Sequence, residues 1–258
     1  MMNQRPLILV TNDDGIAAPG IKALVEVARE LGEVVVVAPD SPQSAKGHAI
    51  TISSPIRLKE VEVFPDIKSF ECSGTPVDSV KLAKFVVLKE RQVDLCISGI
   101  NHGSNASINI IYSGTVSAAM EASLEGINSI AFSLLDFSWD ADFEPAKPYI
   151  RKIMQEVLEK GMPNNCKLLN VNIPNLSAAE IKGIKVCRQA EGRWEEVFHE
   201  AKDPQNVPYY WLTGKFKLDE DREDNDIWAL ENGYISVVPS GHDLTVYSAI
   251  EALASLEQ

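Results

Sequence analysis

No apolar run in this 258-residue chain approaches the roughly 18 to 20 residues needed to span a bilayer. No two cysteines form a C-x-x-C pair. Cys72, Cys96, Cys166 and Cys187 are scattered, each in or beside an apolar run. They read as reduced thiols packed as small hydrophobes, not as a disulfide framework or a zinc site. Reduced thiols imply a cytoplasmic compartment. The start of the chain, with one arginine, a short apolar run and then acids, lacks the plan of a secretory signal. Basic residues are in the minority, 24 lysines and arginines against 37 acids, for a formal net charge of -13. That balance repels nucleic-acid backbones and anionic membranes as partner surfaces. It leaves room for a small anion held by local donors or by a bound cation. Also missing is a G-x-G-x-x-G after the first strand, which weighs against a dinucleotide-dependent oxidoreductase.

What the chain does have is alternation of buried strands and helices. Leu7 to Thr11 reads as a buried strand, and Ile21, Leu24, Val25, Ala28 and Leu31 recur at helical spacing after Pro19. "EVVVVAP" from Glu33 is a second buried strand, completing a βαβ unit and implying a parallel sheet covered on both faces. "AITISSPIRLKEVEV" predicts one or two exposed strands, and Thr75 to Leu88 a helix. The strands "VDLCISGIN", "NSIAFSLL" and "KLLNVNIP" follow, with helices from Val116 and from Pro148 to Lys160 between them. This is the pattern of a Rossmann-like, doubly wound, mostly parallel α/β/α sheet. Beyond about residue 183 the character changes. "IKVCRQA" and "PYYWLTGKFKL" predict an extended hairpin, "DEDREDND" a solvated turn, "GYISVVPS" a strand and Val246 to Leu256 a terminal helix. The expectation is one domain over 1–258 with a C-terminal hairpin-and-helix appendage.

In such a sheet ligands bind beyond the carboxyl ends of the strands. Asn12-Asp13-Asp14 follows the first strand, Asp40, Ser41 and Ser44 the second, and Asn101, His102 and Asn105 "VDLCISGI". Two ionised carboxylates about 4 Å apart repel by about 4 kcal/mol at an effective dielectric near 20. A protein spreads such a pair into solvent, protonates one member, or places a cation between them. Asp-Gly turns and Asn or Asp helix caps also use these residues. Two carboxylates with the neutral oxygens of Asn101 and Ser44 form a hard-oxygen set suited to Mg²⁺ or Mn²⁺. Ser113, Gly114 and Thr115 stand where a helix begins, as a plain cap or as an anion site. A cation site and an anion site at one sheet edge together fit a phosphate ester. His48, His102 and His242 are candidate proton donors to the leaving alkoxide, and each reads as well as a histidine satisfying loop backbone. Tyr112 and Trp211 read as core packing or as base-stacking rings.

"ILVTNDDG", "VVAPDSPQSAKGHAIT", "SGINHGSN" and "YSGTVSAAMEA" occur in order, and here the chain resembles the SurE family of 5′/3′-nucleotidases. "GTPVDSVKLA", "YYWLTG" and "NGYISVVP" extend the likeness over nearly the full length. The resemblance implies a metal-dependent phosphatase hydrolysing nucleoside monophosphates, one divalent cation per subunit, and homodimers or homotetramers with an exchanged C-terminal element. By motif, the metal ligands are Asp13, Asp14, Ser44 and Asn101, and Asn105, Ser113, Gly114 and Thr115 contact phosphate. Asp13 is the candidate catalytic group, either attacking covalently or, as the favoured route, positioning a water beside the metal. Asn225-Asp226, Ser240-Gly241 and Ser79 depart from the usual pattern, bearing on substrate preference and subunit contacts. A signalling receiver also places an acid pair after its first strand. It needs a phospho-accepting Asp after a central strand, where this chain has Asn101.

Overall fold

Four apolar residues and a threonine, Leu7–Thr11, form strand β1 with every side chain buried. The computed structural model describes residues 5–163 and 166–257; residues 1–4, on which the reading of the chain start partly rests, lie outside them. Helix α1 (Pro19–Leu31) follows, with proline in its first turn, where no N–H is missed, and its apolar stripe buried. Strand β2 (Glu33–Pro39) returns beside β1 in parallel. The chain continues through β3 (Leu58–Val61), β4 (Lys68–Cys72), α2 (Pro76–Leu82), β5 (Leu95–His102), α3 (Gly114–Leu124), β6 (Ser129–Leu134), α4 (Lys147–Lys160) and β7 (Leu168–Ile173). It ends with β8 (Gly183–Val186), β9 (Gly192–Lys202), β10 (Pro208–Leu218), α5 (Asp226–Glu231), β11 (Tyr234–Ser240) and the single turn α6 (Tyr247–Ile250).

Nine strands make one sheet in the order β3-β4-β2-β1-β5-β6-β7-β11-β8. From β4 to β7 all neighbours are parallel; β3 and β11 pair antiparallel with β4 and β7. Period-two alternation separates the two faces. Ile8, Val10, Val34, Val36 and Ile97 join α1 and α4 in one core. Leu7, Leu9, Val35, Val37 and Cys96 join α2 and α3 in the other. The strand order reverses between β1 and β5, so their carboxyl ends open a crevice that neither connection covers. Truncating a fully buried side chain such as Leu24 costs about 2–5 kcal/mol, because the packed layers cannot close the cavity.

The structure differs from expectation in the C-terminal third. The hairpin is β9 with β10, paired antiparallel from Gly192 to Lys202 against Pro208 to Leu218. "IKVCRQA" instead feeds β8, which lies parallel to β11 in the main sheet. The arm read as a polar connection is a strand because the hairpin is exposed on both faces, so apolar alternation is not required of it. Only Leu58–Val61 of the stretch after Ala49 pairs, and the terminal segment is one α-turn followed by a 3₁₀ run, Glu251–Glu257. Among the described residues no helix is long and apolar enough to cross a membrane.

Candidate active site

The carboxyl end of β1 delivers Asn12, Asp13 and Asp14 into the crevice. Asp13 is buried, as are Thr11 and Asn12 before it. Helix α3 points its N-terminus at this carboxylate: the Thr115 hydroxyl donates to Asp13 Oδ1, and the Thr115 backbone N–H also faces it. Gly114 makes the approach possible. A Cβ there would lie 2.8 Å from Asp13 Cβ and 2.9 Å from Oδ2. The helix end with its positive dipole thus meets a negative group at close range.

That arrangement does not neutralise the pair. Burial, and then the neighbouring charge of Asp14, push the Asp13 carboxyl up from 3.8 to about 7, against the Thr115 hydrogen bonds. Asp14 is also raised, by burial first, with the charge of His102 opposing it. The backbone N–H of His102 lies 3.4 Å from Asp14 Oδ2, a weak contact. Two carboxyls held this way are short of positive charge.

Asn101 is the penultimate residue of β5, the strand beside β1. Its amide N–H donates to the Gly103 carbonyl at 2.8 Å, which turns the amide oxygen into the acceptor left over. Ser44 sits on the exposed loop after β2. The Gln43 N–H before it donates to the Asp13 carbonyl at 2.7 Å, and the Gly47 N–H after it to Tyr112 at 3.1 Å. The loop is therefore stitched both to the acid pair and to the segment leading into α3. Around the pair, Asn12 Oδ1, Thr11 Oγ1 and His102 Nε2 are buried without a partner. Among the described residues no group of three or more His, Cys, Asp or Glu converges. Two carboxylates, neutral oxygens and orphaned buried acceptors fit a hard divalent cation and do not fit a zinc cage.

The expected phosphate contacts divide. Ser113 is the N-cap of α3, accepting from the Val116 N–H at 3.0 Å. Gly114 and Thr115 supply N–H groups of the first helical turn, which have no intrahelical acceptor. The Thr115 hydroxyl, however, is committed to Asp13. Asn105 is buried, donating to Ser133 Oγ at 2.8 Å, while Asn172 and Asn170 hold its backbone N–H and carbonyl at 2.8 and 2.9 Å. One amide N–H of Asn105 is thereby spent on its own support.

Of the three candidate histidines only His102 reaches the acid pair. His48 Nε2 meets the buried Glu121 at 2.9 Å, with Lys81 on the other oxygen of that carboxylate, and His242 is exposed beyond β11. Tyr112 and Trp211 are exposed, at 48% and 65%, so neither packs in the core. Trp211 lies on the hairpin, against Tyr209.

Sequence reasoning missed Asp226. It ends the acidic run read as a solvated turn, yet it is fully buried. Its carboxylate accepts from the Ser107 N–H at 2.8 Å and the Ala190 N–H at 2.9 Å, and the Ser107 hydroxyl donates to the Ala190 carbonyl at 2.9 Å. Burial raises its pKa. A clue was available: Asn225 caps α5, accepting from Trp228, and a cap of this type before an apolar turn signals a helix start.

Comparison with known proteins shows the family. The family model described as Survival protein SurE matches residues 8–196. A protein named 5′-nucleotidase SurE from Flavobacterium psychrophilum is 59% identical over 250 residues, 96% of either chain. One of the same name from Bacteroides thetaiotaomicron is 47% identical, over 98% of this chain and 96% of its own. The crystal structure of the SurE protein from Aquifex aeolicus superposes with a TM-score of 0.85 at 42% identity, covering 98% of this chain and all of that one. The chain belongs to the SurE family.

Proposed function

We propose that the crevice between β1 and β5 hydrolyses nucleoside monophosphates to nucleoside and phosphate with one divalent cation, Mg²⁺ or Mn²⁺, per subunit. The activity is that of a 5′-nucleotidase, the name carried by relatives at 58 and 59% identity over nearly the whole chain. The single observation that carries the site assignment is the buried Asp13, raised to about 7 beside Asp14 and under the first turn of α3.

Asp13, Asp14, Ser44 and Asn101 would hold the cation, and it would set concentrated positive charge against the phosphoryl oxygens. The Thr115 N–H is directed at Asp13, so the Gly114 N–H and the Ser113 hydroxyl are the helix-end donors that would bind and orient the dianion, with Asn105 behind them. Thr115 engages Asp13 Oδ1, so Oδ2 is the atom left to orient an attacking water and take its proton. Preorganised charge of this kind is needed, since phosphate monoesters are among the slowest substrates to hydrolyse unaided.

We assign the enzyme to the cytoplasm, on its four free cysteines. We assign it to a homodimer or homotetramer in which the C-terminal elements exchange. Supporting this, the hairpin exposes Val197, Phe198, Tyr210 and Leu212, and the segment after β11 exposes Leu244 and Tyr247, more apolar surface than a monomer usually shows. The test is phosphate release from AMP. Activity should vanish in chelator, return with Mg²⁺ or Mn²⁺, and be absent from Asp13→Asn at any metal concentration. Turnover that persists in chelator, or near-normal turnover in Asp13→Asn, would reject the assignment.

A further inference from the structure

The loop after β6 carries two aromatic side chains that folding leaves in water. Phe137 is 83% exposed and Trp139 58% exposed, although neither is on a flexible tip. The Leu135 N–H donates to Ile173, and Asp136 accepts from the Ser138 N–H at 2.8 Å and from Asn175 at 3.0 Å. The Ser138 hydroxyl accepts from the Asp140 N–H at 3.2 Å. Holding large apolar rings out of the core by such a network gains nothing for stability. It produces a preformed aromatic surface with polar groups around it.

The surface adjoins the acid pair directly. His102, whose backbone N–H faces Asp14, stacks its ring on Trp139 with centroids 5.7 Å apart and planes 9° from parallel. Its Nδ1 meets the Ser138 carbonyl at 2.7 Å, and Phe143 packs edge-on behind it at 5.2 Å. Phe137 lies over Gly103, where a Cβ would come within 2.3 Å of the ring, so glycine is what admits it. One face of Trp139 is thus backed by an imidazole one residue from Asn101, and the remaining surface is open.

We propose that Trp139, flanked by Phe137, is the platform on which the substrate's nucleobase stacks while its phosphate sits at the first turn of α3, across the cation from Asp13 and Asp14. This rests on the nucleotidase reading above and names the determinant of its substrate class: a nucleoside monophosphate in preference to a sugar phosphate without a base. The occupant follows from continuity with the phosphate site. A planar base is the part of such a substrate that gains from an indole face.

The experiment compares kcat/KM for AMP and for ribose 5-phosphate in wild type, Trp139→Leu, Trp139→Phe and Phe137→Leu. Base–aromatic stacking predicts a fall of about tenfold or more in the AMP to ribose 5-phosphate ratio for Trp139→Leu. Trp139→Phe, which keeps a ring, should recover most of it, and Phe137→Leu should show a smaller fall. The loss should appear in KM for AMP. A purely structural role would lower both substrates together, or fail to respond to Phe; either result overturns the platform, as does an unchanged ratio. Wild-type enzyme releasing phosphate from neither substrate would instead overturn the nucleotidase reading, and the platform with it.

Discussion

Asp13 should make the metal-free protein less stable, and Asp13→Asn should repair that defect while destroying activity. Its carboxyl titrates at about 7 in the fold against 3.8 when free. The folded chain therefore holds this proton more tightly than the unfolded chain. Between pH 3.8 and about 7 the unfolded state releases its proton first, so stability falls as pH rises through that window. Below it the group costs nothing; above it the full penalty applies. About three units at 1.36 kcal/mol each set an upper bound of about 4 kcal/mol. The amide introduced by Asp13→Asn keeps an acceptor for Thr115 and carries no charge. Urea unfolding in chelator at pH 5, 6, 7 and 8 should show the variant gaining on wild type steadily with pH. Added Mg²⁺ or Mn²⁺ should close the gap by stabilising wild type alone, as binding to the folded state requires. A gap independent of pH, or a variant less stable than wild type at pH 8 without metal, would refute the reasoning.

Other outcomes follow from the same contacts. Gly114→Ala should lower kcat/KM by about a hundredfold, since its Cβ would displace Asp13 and misplacement near 1 Å carries such costs; an Ala in a helix is itself favourable by up to about 1 kcal/mol, so unfolding should show little loss. Thr115→Val removes the hydroxyl that holds Asp13 ionised, and the acid limb of the pH–rate profile should move to higher pH, with about 1–3 kcal/mol lost in urea unfolding. Asp226→Ala orphans the Ser107 and Ala190 N–H groups, at about 1–3 kcal/mol for each, measurable as a lower urea midpoint together with weaker turnover.

The parallel core was legible because β1, β2, β5 and β6 are buried on both faces, which forces continuous apolar runs into the sequence. The acid pair was legible for the opposite reason, since two adjacent carboxylates after a buried strand conflict with local physics and such conflicts gather at functional sites. Strand β9 was not legible because both its faces meet solvent and nothing in its sequence had to alternate. Asp226 hid within an acidic run whose other acids are exposed or partly so, and Glu220 and Asp224 there pair with Arg188. The dual use of Thr115, expected on phosphate and found on Asp13, depends on how close α3 approaches β1. That distance is a packing property no single segment encodes.

The clasp between Ser107 and Asp226 joins positions 119 apart, and it gives this enzyme a sense of its own completion. During synthesis the amino-terminal strands leave the ribosome first and can begin to assemble. Asp13, Asp14 and Asn101 are then already present, and Ser133, Asn170 and Asn172 can hold Asn105, but the Ser107 N–H still lacks its acceptor. Fastening waits for Asp226, and β11, which completes the sheet beside β7, is later still. A chain stopped short of residue 226 therefore folds without the bond that fastens this loop to the C-terminal segment.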